Sequence, residues 1–108
     1  MIVGLGCDIV QIARLENNRE ALAKRILSKE EWEWFIQFEN QRQLQFLAGR
    51  FAAKEALLKA MPQPIGLKEI TIDSTCGTPK VSIEGYRISL SISHEKDYAT
   101  SVAIVESV

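Results

Sequence analysis

The chain opens on a nearly unbroken apolar run, Met1 to Val10, rich in Ile, Val and Gly. Such a run reads as a buried strand, and Asp8 is the residue that interrupts it. From Ile12 to Leu27 the apolar positions Ile12, Leu15, Leu22 and Ile26 recur at helical spacing, with Asn17 and Asn18 interrupting the first turns. Ser28 and Glu31 have the spacing of a capping box just ahead of Trp32, Phe35 and Ile36, which predicts a second helix starting near Lys29 and ending near Glu39. Gln41 to Met61 is dense in Ala, Leu, Lys, Glu, Arg and Phe and meets no proline before Pro62, so the strongest helix is expected there. After the loop enforced by Pro62 and Pro64, Ile70 and Ile72 alternate with Thr71 and Asp73, and a turn signal over Ser74 to Pro79 leads to Val81 and Ile83, as in a hairpin. Ile88, Leu90 and Ile92 alternate with Ser89, Ser91 and Ser93, and Val102 to Val105 adds a last apolar run. The C-terminal half therefore reads as an antiparallel sheet. The expected class is α+β, an antiparallel sheet packed on a long central helix.

Length narrows this picture. A chain of 108 residues buries one real core, so residues 1–108 are read as a single domain. Hydrophobic residues at 46% and charged residues at 25% exclude a disordered or fibrous chain. The formal net charge of -1 removes the basic footprint expected of a nucleic-acid binder. No apolar run is long enough to cross a bilayer, and the first residues lack the basic segment of a signal peptide, so neither a membrane nor nucleic acid is expected as partner and the cytoplasm is the expected location. Cys7 and Cys76 form no Cys-x-x-Cys pair, and His94 is the only histidine, which leaves oxygen as the main donor for any metal.

The chemistry concentrates where charge interrupts apolar pattern. Projected at about 100° per residue, Leu44, Leu47, Ala48, Phe51 and Leu58 form one apolar stripe of the long helix, with Glu55 in its middle. Phe46, Ala53, Leu57 and Ala60 form a second apolar face, more than one small sheet covers, which points to a second protomer. Glu55 has two readings: an intrahelical pair with Lys59, or a ligand for a cation. Asp8 has two as well, an N-cap for the next helix or a second ligand. If strand and helix pack together, Asp8 and Glu55 jointly offer hard oxygens to magnesium, with Arg50, Lys54 and Lys59 beside them to neutralise phosphate. Each of those cations has the plainer reading of a solvated face. Gly4 and Gly6 are only a fragment of a dinucleotide fingerprint, because Ile9 stands where the third glycine belongs. His94 has no nucleophile elbow or aspartate spacing to make a triad.

Three segments taken together, Gly4-Leu5-Gly6-Cys7-Asp8-Ile9-Val10, Phe46-Leu47-Ala48-Gly49-Arg50-Phe51-Ala52-Ala53-Lys54-Glu55-Ala56 and Ser93-His94-Glu95-Lys96-Asp97-Tyr98-Ala99, closely resemble the small holo-acyl-carrier-protein synthases. The resemblance implies the phosphopantetheinyl transferase fold, assembled as a homotrimer with coenzyme A in clefts between protomers. It implies a magnesium-dependent transfer of phosphopantetheine from coenzyme A to a serine of apo acyl carrier protein, with release of adenosine bisphosphate, in support of fatty acid biosynthesis. Asp8 and Glu55 are then the magnesium ligands, and with Lys59 the catalytic set. A carboxylate or a metal-bound water near Asp8 is the implied base. Lys59 and Arg50 contact coenzyme A phosphates, and His94 lies near the cofactor. Arg14 and Arg25, which project in nearly the same direction on the Ile12 to Leu27 helix, match arginines that the family sets against the carrier, with Leu22 as their hydrophobic neighbour. The family's glycine-rich loop after the long helix is replaced by Met61-Pro62-Gln63-Pro64-Ile65-Gly66, so Gly66 alone is left for close backbone approach to a phosphate. Two competing readings are a non-catalytic trimeric module of the same fold and an RNA binder using Arg14, Arg19, Lys24 and Arg25, the latter opposed by the balanced charge.

Overall fold

A computed structural model describes residues 1–108. The first apolar run forms β1 (Ile2–Gln11), and the serine-alternating segment and the last apolar run form β2 (Tyr86–His94) and β3 (Tyr98–Ser107). They make one antiparallel sheet in the order β1-β3-β2. The expected C-terminal sheet is thus completed by the N-terminal strand, which leaves β3 in the centre.

Ile12 to Leu27 is not one helix. A short 3-10 turn, Ile12–Leu15, is separated from α1 (Arg19–Ile26) by Glu16, Asn17 and Asn18. The two asparagines compete for backbone bonds and break the run, as their chemistry favours. The Ser28–Glu31 capping box forms in full and starts α2 (Lys29–Phe35). This helix stops short of Glu39, because the Gln43 side chain donates to the Phe35 carbonyl and Asn40 turns the chain with a φ of 51°. The long helix is α3 (Asn40–Ala60), close to its expected bounds.

The sheet's inner face packs on α3, and the approach is set by Gly4 and Gly6. A Cβ added to Gly4 would sit 1.6 Å from the Ala60 carbonyl oxygen, and one on Gly6 would sit 1.9 Å from that of Ala56. These glycines are therefore places where one backbone lies directly on another. The opposite side of α3 carries α1, α2 and the segment around Ile70 and Ile72. Both apolar faces of α3 are covered within one chain, contrary to the expectation that the second awaits a partner. The apolar surface left open lies on the outer face of the sheet. Leu5 and Ile9 there are 67% and 66% exposed, and Val102 on β3 is exposed beside them.

A buried charge cluster ties the helices together. Lys54 is fully buried and donates to the Glu31 carboxylate and to the carbonyls of Ile26, Leu67 and Ile70. Burial pulls the Lys54 ammonium below its usual pKa, and the Glu31 carboxylate opposes that shift. The solvated-face reading of Lys54 is thereby overturned. Glu31 also accepts from the Ile72 backbone N–H, and Arg50 donates to the Ile72 carbonyl. This explains why Ile70 to Ile83 is not a regular hairpin. Its backbone groups are engaged by buried ions, which leaves only the isolated bridges Asp73–Lys80 and Ile83–Tyr86.

Two outcomes are expected from this packing. Gly6→Ala forces β1 off α3 and should destabilise the fold by about 1–3 kcal/mol, read as a lower urea midpoint. Lys54→Met strands the Glu31 charge and three carbonyls, and should cost roughly 3–5 kcal/mol in the same measurement.

Candidate active site

Alternation along β1 puts Gly4, Gly6 and Asp8 on the inner face, so the glycines that admit α3 also aim Asp8 at it. Asp8 pairs with Ser101 in the sheet and is not an N-cap; Gln11 holds that position for the 3-10 turn. Lys59 reaches back from the last turn of α3, its ammonium 3.2 Å from Asp8 Oδ1 and 2.9 Å from the Cys7 carbonyl oxygen. Lys59 therefore pairs with Asp8 and not with Glu55. Glu55, one turn before Lys59 on the same side of α3, is half-buried and has no ion pair or hydrogen bond within the chain.

This donor set fits a hard divalent cation. Asp8 already attracts a cationic group, the Glu55 carboxylate is unengaged, and both offer oxygen. Both are hard oxygen donors of the kind magnesium takes alongside waters and phosphate oxygens. No group of three or more His, Cys, Asp or Glu side chains converges anywhere in the chain.

A second cluster lies elsewhere. Arg50 and His94 line a cavity of about 500 Å³ together with Arg42, Phe46 and Ile92. The Arg50 guanidinium lies over the Phe46 ring with Cζ 4.5 Å from its centroid, and Arg42 lies over Phe38 at 4.8 Å. Arg50 is buried, its Nη2 donates to the Ile72 carbonyl at 3.0 Å, and its Nε has no hydrogen-bond acceptor. Burial lowers its pKa, while Glu31 and then Asp73 hold it up. Two basic groups and an exposed imidazole, with the Phe38 and Phe46 rings in the same mostly polar wall, suit an anionic, ring-bearing ligand.

The two clusters do not meet within one chain. Nine residues at about 100° each set Arg50 and Lys59 on opposite sides of α3. The sequence reading that gathered Arg50, Lys54 and Lys59 around Glu55 is corrected accordingly: Lys54 is interior and Arg50 faces away.

The remaining expected residues separate further. Gly66 precedes a short 3-10 turn with an ordinary φ of -80°, and an added Cβ there would lie 3.0 Å from the Glu69 carboxyl carbon. A carboxylate against that backbone opposes a phosphate, so the close-approach argument for Gly66 loses its geometric basis. Arg14 and Arg25 are both exposed but sit on different elements, so they do not share a helical face. Leu22 is only 7% exposed and belongs to the core, which removes it as a docking neighbour. Sequence reading missed Arg42, although Arg42, Phe46 and Arg50 follow one another at four-residue spacing on one strip of α3.

Comparison with known proteins places the chain and its fold. Residues 4–103 match the family model described as the 4'-phosphopantetheinyl transferase superfamily. The holo-[acyl-carrier-protein] synthase of Staphylococcus saprophyticus is 42% identical over 98% of this chain and 99% of its own. That of Staphylococcus carnosus is 39% identical over 98% of each. Among solved structures, the Bacillus anthracis holo-(acyl-carrier-protein) synthase in complex with CoA (3',5'-ADP) superposes with a TM-score of 0.92 at 33% identity, covering 100% of this chain and 99% of that one. The Neisseria meningitidis enzyme gives 0.86 at 33% identity, covering 99% and 100%. With its fold, the family model over residues 4–103 and its full-length relatives in agreement, the chain belongs to the 4'-phosphopantetheinyl transferase superfamily, among the holo-[acyl-carrier-protein] synthases.

Proposed function

We propose that this chain moves the phosphopantetheine arm of coenzyme A onto a serine of an apo acyl carrier protein, with magnesium as its metal and adenosine bisphosphate as the second product. The observation that carries this reading is the meeting of Asp8 and Lys59 where β1 crosses α3, with the free Glu55 carboxylate one turn away. Asp8 and Glu55 would hold magnesium, which when bound supplies charge stabilisation to a reacting pyrophosphate. Lys59 is 55% exposed in its side chain and is free to turn from Asp8 to a phosphate oxygen. The serine oxygen bonds to the phosphorus of the pantetheine phosphate, the bond from that phosphorus to the bridging oxygen breaks, and the bisphosphate leaves with that oxygen. The serine proton departs to a carboxylate or a water beside Asp8. Arg50, Arg42 and His94 would bind the nucleotide end.

The separation of the two clusters on one chain supports a shared site. A homotrimer built on the open apolar face of the sheet would set the Asp8 side of one copy against the Arg50 side of the next. Arg14 and Arg25, both exposed, remain candidates for steering an acidic carrier. No helix is long and apolar enough to cross a membrane. A cytoplasmic role in fatty acid biosynthesis is the setting that suits these substrates.

Intact-mass analysis of an apo acyl carrier protein incubated with the enzyme, coenzyme A and magnesium should show a gain of one phosphopantetheine. Asp8→Ala or Glu55→Ala should lower the rate by on the order of a hundredfold or more while the chain stays folded. A folded Glu55→Ala enzyme with normal activity at limiting magnesium would reduce that glutamate to a bystander. Subunit mixing tests the assembly. Asp8→Ala and Arg50→Met chains, each inactive alone, should regain activity when refolded together, because a mixed trimer contains an interface with both halves intact. No recovery from mixed trimers verified by light scattering would confine the site to one chain.

A further inference from the structure

We propose that Glu31 is a positioning residue for coenzyme A, holding the Arg50 guanidinium against Phe46 so that its free donors face the cavity shared with Arg42 and His94. The proposal rests on the reading of Arg50 as a contact to a coenzyme A phosphate.

The Glu31 carboxylate is fully buried and immobilised on both oxygens. Oε1 accepts from the Ser28 N–H at 2.9 Å and from Lys54, and Oε2 accepts from the Ile72 N–H at 2.8 Å. Oε2 also lies 3.7 Å from Arg50 Nε. The guanidinium is thus bounded by the Phe46 ring, by the carboxylate behind Nε, and by the Ile72 carbonyl at Nη2. Nη1 has no partner in the chain and is the edge left for a ligand. Within the buried cluster one carboxylate faces two cations, with the exposed Asp73 as a second, outer countercharge to Arg50, and of the three buried groups only Arg50 borders the cavity. A planar fork fixed in advance loses little freedom when it binds a phosphate oxygen. Glu31 sits behind Arg50 and does not line the cavity, so its repulsion of a phosphate there is weaker than its attraction for Arg50.

The test measures binding of adenosine bisphosphate by calorimetry to wild type, Glu31→Gln, Arg50→Met and the double variant. Glutamine keeps one acceptor oxygen, enough for one of the two backbone N–H groups, and gives up the charge behind Arg50, so its urea midpoint is measured alongside the binding. Glu31→Gln should weaken bisphosphate binding about tenfold, the scale of one charge-assisted contact. It should raise the KM for coenzyme A similarly and leave the KM for carrier protein unchanged. In the Arg50→Met background the same substitution should have no further effect, which a general loss of structure would not produce. Folded Glu31→Gln protein with unchanged or tighter Kd, or the same loss in both backgrounds, overturns the proposal. If the variant does not fold, the Arg50 Nε–H resonance of wild-type enzyme decides. A single, slowly exchanging signal before ligand is added is expected, and rapid exchange with water refutes a held guanidinium. Wild-type enzyme that neither binds the bisphosphate nor modifies a carrier would instead refute the transferase reading itself.

Discussion

The Glu31 carboxylate is the constraint on which the helical layer depends. It starts α2 through its capping box, receives Lys54 and Arg50 from α3, and takes the Ile72 N–H from the segment beyond α3. Lys54 extends the same cluster to the end of α1 and to the Leu67–Ile70 turn. A buried ion pair contributes little net stability once desolvation is counted, and apolar packing of equal volume often does as well. Its geometry is what differs. Apolar contacts slide, whereas these bonds have directions, and they set the orientation of α3 relative to every other helix.

That orientation matters because α3 is the beam along which both side-chain clusters are mounted. Its C-terminal turns lie on β1 with no side chain intervening at Gly4 and Gly6, which brings Asp8 within reach of Lys59. The same helix, turned half a revolution, presents Arg42 and Arg50 to His94 at the end of β2. A rigid helix cannot bend one flank toward the other. The distance between the clusters is therefore a consequence of helical geometry, and the apolar outer face of the sheet is the surface through which a neighbouring copy would close it.

Much of this was legible in the chain's own pattern. The first strand, the capping box, the long helix and the serine-alternating strand stand where period and capping chemistry put them, because the signal for each is written within a few residues even where, as in β1, the partner strand is distant. Asp8 and Glu55 stood out for a similar reason, as carboxylates on otherwise apolar surfaces. The full-length match to holo-[acyl-carrier-protein] synthases agrees with the resemblance carried by the three motif segments.

What only the tertiary structure decided is the destination of each charge. Lys54 follows Leu47 by seven residues on the same stripe, which hints at burial, yet its partner Glu31 is on another helix and reads locally as a cap. Lys59 had a carboxylate one turn away and chose Asp8, far off in sequence, because β1 arrives there. Ile70 to Ile83 had the composition of a hairpin, but its backbone was claimed by buried ions from elsewhere. Arg14 and Arg25 project in one direction on a continuous helix, but two asparagines break that helix between them. Local pattern locates most of the helices and strands, since period and capping are read within a few residues, and it fails at Ile70 to Ile83 where distant ions intervene. Which buried cation meets which carboxylate depends on how distant segments stack, and a Coulomb interaction carries no record of sequence separation.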